Sequence, residues 1–201
     1  LQIIHSHDLI HRDLHSGNIL LNSLKSAYIA DLGLSITANI ELKSKPDGIY
    51  GILPYIAPEV LNRQSYTKAS DIYSFGIIMW EILYGKPVPF EHESNLQFQL
   101  QACEGLRPHI YENTATFYVD LMKKCWNIKP EQRPTAKEIY DIFTEWRNNE
   151  IILSKLSESD KKLQHLIIDD IQINIDSHYK SSFISFNSDY NYQGNYEFNF
   201  F

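Results

Sequence analysis

The residues with the clearest chemical potential form a single run, HRDLHSGN, at positions 11–18. Asp13 and Asn18 are five positions apart in this run, so one tight loop can turn a carboxylate and an amide toward the same cavity. A second carboxylate, Asp31, precedes Leu32 and Gly33, and the glycine permits a sharp change of direction. One acid that accepts a proton, with an Asn and an Asp that hold a hard cation such as magnesium, is what phosphoryl transfer requires.

Short apolar runs on either side of these residues indicate the elements that hold them. Residues 19–21 and 27–30 are typical of two short strands, and Asn22-Ser23 between them has the spacing of a β-hairpin turn. The loop with Asp13 leads into the first strand, and the second strand ends at Asp31. The predicted hairpin therefore places Asp31 beside the cavity that the loop faces.

Beyond the hairpin, the apolar pattern takes the period of α-helices. Residues 72–84 are apolar on nearly every side and precede Gly85, which predicts a buried helix that ends at that glycine. Two later segments each carry one apolar stripe, and Thr135 with Glu138 supplies a capping box for the second of them. The stripes are Phe117, Leu121, Met122 and Cys125 in the first segment, and Ile139, Ile142, Phe143 and Trp146 in the second.

The composition changes near residue 150, which predicts one domain at residues 1–150 and a tail at residues 151–201. The tail is polar and rich in aromatic residues. Its beginning could support one loose helix, but beyond Ser177 the pattern has no period, which is typical of a disordered, self-associating segment. We therefore expect the fold to tolerate removal of the residues after Ser154. The apolar positions of the loose helix are Leu156, Leu163, Leu166 and Ile167.

Charge and composition argue against several classes of function. The formal net charge is −7, which makes nucleic acid a poor candidate for the partner. The two cysteines, Cys103 and Cys125, suit a reducing intracellular compartment, and Cys125 is expected in the core with Met122 and Trp126. No signal segment begins at Leu1, and the longest apolar stretch is too short to span a bilayer. These features predict a cytoplasmic protein without a membrane span.

A zinc site is an alternative interpretation of the same region. Imidazole suits zinc, and His-x-His spacing occurs in metallohydrolases. No further His or Asp residues follow downstream in such a pattern, so phosphoryl transfer is the favoured interpretation. The crowded residues are His5, His7, His11 and His15, with Asp8 and Asp13 between them.

Five segments, in order along the chain, resemble the motifs of eukaryotic protein kinases. The resemblance covers about residues 1–147, is most like the tyrosine-kinase-like group, and implies a mainly α fold. That fold is the C-terminal lobe of a kinase domain, a helical bundle with short β-hairpins. The matching segments are the HRDLxxxN loop at 11–18, DLG at 31–33 in place of the metal-binding DFG, APE at 57–59, DIYSFG at 71–76, and Cys125-Trp126 followed by Pro130, Arg133 and Pro134.

The resemblance implies a role for each residue of the site. Asp13 would accept or orient the hydroxyl proton of a protein substrate, and Asn18 and Asp31 would bind Mg²⁺. Leu20 would lie under the adenine of ATP. His15 takes the position that Ser/Thr kinases usually fill with Lys, where it could meet the γ-phosphate. The predicted catalytic residues are thus Asp13, Asn18 and His15, and the residues predicted to bind the cofactors are Leu20, Asn18 and Asp31.

Other matching positions imply regulatory and structural roles. Arg12 would receive a phosphate from the activation segment once an upstream kinase has acted there, with Ser44 and Tyr50 as the candidate acceptors. Glu59 and Arg133 would form a buried structural ion pair. Asp71 would accept hydrogen bonds from the backbone of the loop at residues 11–18. His11 and Leu32 would be internal packing residues.

Departures from the family pattern leave the substrate specificity open. Ile52 follows Gly51 where Ser/Thr kinases usually carry Thr, and the Trp that precedes APE in tyrosine kinases is absent. We interpret the chain as part of an ATP-dependent signalling kinase that acts on Ser or Thr, with Tyr less favoured and a non-catalytic, kinase-like scaffold as the alternative. The sequence contains no Gly-rich loop, strand Lys or paired Glu of an N-terminal lobe, so this stretch alone is expected to be inactive.

Overall fold

The computed structural model describes residues 1–23, 26–38, 48–89, 94–167 and 181–185. Within these ranges the protein is mainly α-helical with small antiparallel sheets, which confirms the predicted fold class. Single turns of 3₁₀ helix occur at Ser16–Asn18, Leu32–Leu34, Leu53–Tyr55 and Pro130–Gln132. The α-helices are α1 (Gln2–Ser6), α2 (Pro58–Leu61), α3 (Lys68–Tyr84), α4 (Asn95–Cys103), α5 (Thr116–Cys125), α6 (Ala136–Arg147) and α7 (Glu150–Ile167).

The described strands pair as three two-stranded antiparallel sheets. These are β1 (Leu9–Ile10) with β4 (Ile36–Thr37), β2 (Ile19–Ser23) with β3 (Ser26–Ile29), and β5 (Gly48–Gly51) with β6 (Ser182–Ser185). The predicted hairpin is confirmed as β2–β3. Its turn was predicted wrongly at Asn22-Ser23, because a register shift after Leu21 lets the pairing continue to Ser23 and Ser26.

Helix α3 runs through the centre of the core, as the apolar pattern predicts. Ile72, Ile77 and Trp80 are almost completely buried. The helix begins after Thr67, whose N–H donates to Ser70 Oγ at 3.1 Å. It ends at Gly85, which has a φ of 61°, a left-handed conformation that glycine adopts without steric cost. Neither α3 nor any other helix in the described ranges is long and apolar enough to cross a membrane.

Helices α5 and α6 confirm the two predicted stripes. The ring of Trp146 in α6 lies 5.0 Å from Phe117 in α5 and 5.3 Å from Phe143, measured between centroids, so aromatic edges join the two helices. Helix α6 begins with the predicted capping box, in which the Thr135 N–H donates to Glu138 Oε2 at 2.7 Å. Burial confirms Met122, Cys125 and Trp126 as core residues.

The segment after residue 150 is more ordered than the sequence predicts. Helix α7 continues to Ile167, and β6 pairs with β5. Ser159 Oγ in α7 accepts a hydrogen bond from Ala115 N–H and donates one to Asn113 O, both at 3.1 Å. Helix α7 contains the positions for which the sequence predicts one loose helix. The expectation of disorder beyond Ser177 was wrong for β6, because that strand is stabilised by pairing with β5, far away in the chain. Residues 168–180 and 186–201 lie outside the described ranges, and the division at residue 150 stays a prediction.

Candidate active site

The run at residues 11–18 connects β1 to β2, and a buried carboxylate from α3 holds its backbone. Asp71 accepts hydrogen bonds from the N–H groups of His11 at 2.7 Å and of Arg12 at 2.9 Å. His5 Nε2 lies 2.9 Å from the same carboxylate. Arg12 has a φ of 74°, a conformation unusual outside glycine, which these bonds stabilise. The predicted contact between Asp71 and the loop backbone is confirmed.

Asp13 lies in the middle of this loop, and only 7% of its surface is exposed. Its backbone oxygen accepts a hydrogen bond from Asn18 Nδ2 at 2.8 Å, so the loop holds the Asn18 amide against the Asp13 backbone. The Asp13 carboxylate faces a hydroxyl, because Ser181 Oγ lies 2.9 Å from Oδ1 and 2.8 Å from Oδ2. These distances are within the range needed for direct proton transfer. A carboxylate so placed can act as a base toward an aliphatic alcohol.

Asn18 directly precedes β2, and Asp31 follows β3 by two positions, so both lie at the open end of the hairpin, opposite its turn. Ala30, the residue before Asp31, donates its N–H to Asn18 O at 2.8 Å. Asp31 adopts a left-handed conformation, with φ 58° and ψ 68°, and its Oδ1 accepts the Gly33 N–H at 3.2 Å. Because Asn18 Nδ2 is turned to Asp13, the amide oxygen points the other way. The carboxylate of exposed Asp31 and this amide oxygen are donors that suit Mg²⁺, which takes further ligands from phosphates.

The predicted adenine contact lies on the open face of the hairpin. Leu20 pairs with Tyr28, and each residue is 55% exposed. Such a face can take a flat apolar ligand, and the role of Leu20 stays a prediction. Leu32, expected as an internal packing residue, is half-exposed because its 3₁₀ turn lies at the surface.

His15, the third predicted catalytic residue, is buried beside Asp13. Its Nε2 lies 3.9 Å from Asp13 Oδ2, and its ring centroid is 5.9 Å from that of Tyr55. Burial lowers the pKa of His15 and outweighs the opposing effect of the Asp13 carboxylate, so the imidazole is uncharged near pH 7. A neutral ring can donate or accept a hydrogen bond, but it does not supply the positive charge that Lys carries at this position.

Arg12 keeps part of its hydrogen-bonding capacity free for an anion. Its guanidinium carbon lies 4.9 Å from the centroid of Tyr66, and Nη1 donates to Leu34 O at 3.4 Å. Its Nε is buried and has no hydrogen-bond partner among the described residues. Of the two predicted phosphate acceptors, Tyr50 is exposed on β5, and Ser44 lies outside the described residues. The regulatory role of Arg12 stays a prediction.

The buried ion pair that the resemblance implies is present. Arg133 donates to Glu59 through Nη1 and Nη2, both at 2.7 Å, in a bidentate arrangement. Ser70 Oγ also donates to Glu59 Oε1, at 3.1 Å. Glu59 lies in the first turn of α2, and Arg133 precedes α6. The pair therefore joins the segment after β5 to the helical core.

The sequence analysis missed the part of the tail that reaches this site. Strand β6 lies against β5 and brings Ser181 to the Asp13 carboxylate. The only local signal is the alternation of polar and apolar residues in Ser-Phe-Ile-Ser at 182–185, which is too short to predict a strand in a polar, aromatic-rich segment.

The histidines proposed for zinc have other partners. His11 Nε2 lies 3.0 Å from Ala30 O, and His7 Nδ1 lies 2.9 Å from Ile3 O, while His5 contacts Asp71. In the described part of the chain, no group of three or more His, Cys, Asp or Glu side chains is arranged to hold a metal ion. The zinc alternative therefore has no support from these residues.

Similar proteins come from several organisms. A probable serine/threonine-protein kinase of Dictyostelium discoideum is 34% identical over 73% of this chain and 9% of its own length. A probable LIM domain-containing serine/threonine-protein kinase of the same organism is 35% identical over 78% of the chain and 22% of its length. A serine/threonine-protein kinase of Arabidopsis thaliana is 32% identical over 72% and 25%, respectively. The chain thus spans a quarter or less of the length of these relatives.

A family model described as protein tyrosine and serine/threonine kinase matches residues 1–143. The matched range includes the loop around Asp13, the Asn18 and Asp31 oxygens, and the Glu59–Arg133 ion pair. The match covers most of the chain and spans all five motifs, so the chain belongs to the protein kinase family.

Proposed function

We propose that the full-length protein is an ATP-dependent kinase that transfers the γ-phosphate of ATP to Ser or Thr hydroxyls of protein substrates. The observation that carries this proposal is the hydrogen bond from Ser181 Oγ to the Asp13 carboxylate, at 2.8 Å. In the proposed reaction, Asp13 takes the proton from an acceptor hydroxyl in the same position while the oxygen attacks the γ-phosphorus.

The preference for Ser and Thr follows from the reach of the acceptor side chain. Asp13 is buried, and a serine hydroxyl meets it when the residue lies directly before a strand paired with β5. The hydroxyl of Tyr stands much farther from its backbone, so a Tyr acceptor would require the strand to lie farther away. Short aliphatic alcohols are therefore the favoured acceptors.

Asn18 and Asp31 are the proposed ligands of Mg²⁺, which when bound neutralises charge on the phosphates of ATP. Leu20 offers the apolar contact for the adenine. His15 is proposed to contribute a neutral hydrogen-bonding group beside Asp13, because burial lowers its pKa. In this proposal the side-chain oxygens of Asn18 and Asp31 bind the cation, and the buried Asp13 carboxylate accepts the proton.

The cysteines bear on the cellular setting. Cys103 and Cys125 are free cysteines and form no disulfide with each other. Burial raises the pKa of the Cys125 thiol to about 12, which keeps this thiol protonated. This fits a cytoplasmic kinase. An upstream kinase that phosphorylates the segment before Glu59 is the proposed activator, with Arg12 as the phosphate-binding residue.

The test compares Asp13→Asn with Asp141→Asn in the full-length protein. Turnover of labelled ATP on a mixture of Ser, Thr and Tyr peptides should fall by about 10²–10⁴-fold in Asp13→Asn, because the base is lost. Asp141, whose partner is Lys137 on the surface of α6, serves as the matched control and should keep wild-type turnover. Equal activity of the two variants would exclude Asp13 as the base, and phosphate mainly on Tyr would overturn the preference for Ser and Thr.

A further inference from the structure

The described part of the tail pairs with β5 beside the candidate base. Strand β6 pairs antiparallel with β5, with Gly48 opposite Ser185, Ile49 opposite Ile184, and Gly51 opposite Ser182. Addition of a strand to an exposed edge is a common mode of peptide recognition, in which the backbone supplies affinity and alternate side chains supply specificity. Here β5 precedes the APE segment, and the added strand comes from the same chain.

Side chains on both faces of β6 hold it in place. Ile184 is 4% exposed and belongs to the main hydrophobic core. The ring of Phe183, on the other face, lies 5.3 Å from that of Tyr50. The strands approach closely at Gly48, where an added Cβ would lie 2.1 Å from Ile184 O. Glycine at this position is therefore needed for β6 to dock.

This docking presents one particular hydroxyl to the candidate base. Ser181, the residue before β6, places Oγ within 2.9 Å of both Asp13 carboxylate oxygens and 3.4 Å from His15 Nε2. Asp13 and His15 are buried, whereas Ser181 is exposed apart from these contacts. The serine thus occupies the position of an acceptor alcohol.

We propose that Ser181 is an autophosphorylation site, modified by the active site of the same molecule. Ser181 Oγ attacks the γ-phosphorus of ATP, and the bond from that phosphorus to the β,γ-bridging oxygen breaks. The bridging oxygen keeps the electron pair and leaves with ADP, while the Ser181 proton passes to Asp13. This inference rests on the proposed function.

Phosphorylation of Ser181 should weaken the docking of β6 on β5. Phosphoserine carries a charge of about −1.5 to −2 at neutral pH and would face the Asp13 carboxylate at close range. His15, neutral because burial lowers its pKa, offers no compensating charge. The modified strand should therefore leave β5 and open the site to other substrates.

The test uses the full-length protein with Mg²⁺ and ATP, and locates phosphate by mass spectrometry. A mixture of Ser and Thr peptides is present as an independent substrate. We expect phosphate on Ser181 at a rate per molecule that does not change on tenfold dilution. Ser181→Ala should lack it, Ser181→Thr should carry it on the new threonine, and Ser182→Ala, the matched control one position along, should keep it.

Two variants that prevent the docking of β6 test whether Ser181 is phosphorylated because it is docked, and not merely because it is accessible. Gly48→Ala introduces the clash with Ile184 O, and Ile184→Asp removes the apolar anchor. Both should reduce phosphate on Ser181 at least tenfold relative to that on the peptides. Phosphate on Ser181 that persists in both variants, or a rate that rises with protein concentration, would overturn the intramolecular step.

The remaining outcomes distinguish the two proposals. Phosphorylated peptides without phosphate on Ser181 would overturn this inference and leave the proposed kinase activity intact. Absence of phosphate from both the peptides and Ser181 would overturn the proposed function, and this inference with it.

Discussion

The loop at residues 11–18 and the β2–β3 hairpin are neighbours in the chain, yet they are held in different ways. Leu14 in the loop is 2% exposed, whereas Leu20 in the hairpin is 55% exposed. The loop backbone depends on Asp71, which is 60 positions from His11. The hairpin is held by its own ladder and by the packing of Ile19 and Ile29 against the core. Contacts within this chain therefore position the residues proposed for acid–base chemistry. The face proposed for the nucleotide is open, and its further contacts would come from the ligand.

The largest expected difference between the two regions is in packing. Leu14→Ala should lower the free energy of unfolding by about 2–5 kcal/mol, because it leaves a cavity in the core. Leu20→Ala, the same change on the exposed face, should lower it by less than about 0.5 kcal/mol and instead raise the KM for ATP. Urea unfolding and steady-state kinetics measure both effects. Equal losses of stability would contradict the contrast between the regions.

A second matched pair applies the same substitution to two carboxylates. Asp71→Asn should cost about 1–3 kcal/mol of stability, because the amide cannot accept hydrogen bonds from both backbone N–H groups and His5. Asp31→Asn should change stability by less than about 0.5 kcal/mol, since Asn tolerates the left-handed conformation. Asp31→Asn should nevertheless reduce turnover by about 100-fold, or ~2.7 kcal/mol, through the loss of a cation ligand. Full turnover in Asp31→Asn would refute that ligand assignment.

His15, within the loop, offers a gain-of-function test. His15→Lys replaces a neutral ring with a cation beside the proposed γ-phosphate position, and the Asp13 carboxylate nearby favours the charged form. We expect turnover to rise about tenfold, equivalent to ~1.4 kcal/mol. His15→Gln, which adds no charge, is the control and should not increase turnover. A decrease in His15→Lys would mean that the imidazole itself is needed.

The smallest expected effect is the pH dependence of stability. The folded-state pKa of His15 lies below its usual value of 6.5, chiefly because of burial, although Asp13 and Asp31 oppose this and His11 reinforces it. The unfolded chain therefore binds this proton more readily, so stability present above pH 6.5 is lost as the pH falls toward the folded pKa. Unfolding in urea at pH 7.5 and pH 5.5 should show a larger loss for the wild type than for His15→Gln. Identical losses would exclude His15 as a contributor.

Local sequence patterns were sufficient to predict two kinds of element. These are elements stabilised by contacts between nearby residues, and helices whose apolar residues repeat with the helical period. The apolar run before Gly85 predicts α3, and the Thr135–Glu138 capping box predicts the start of α6. The hairpin followed from two short apolar runs, although its turn did not, because a register shift is a property of the paired ladder. The proximity of Asp13 and Asn18 was also predictable, because residues five positions apart in a tight loop lie close together in space.

The chemical groups of the candidate site and the helices that support them could be predicted from local sequence patterns. Which distant groups meet depends on long-range packing. Burial of His15 against Asp13 lowers the imidazole pKa, and no local pattern records burial caused by residues far along the chain. Ser181 meets Asp13 across a separation of 168 residues, although its surroundings in the sequence are typical of disorder. Periodicity shows which face of an element is buried, but the partner of that face depends on long-range packing. A short strand such as β6 is stabilised by pairing with β5, and its own sequence does not reveal that partner.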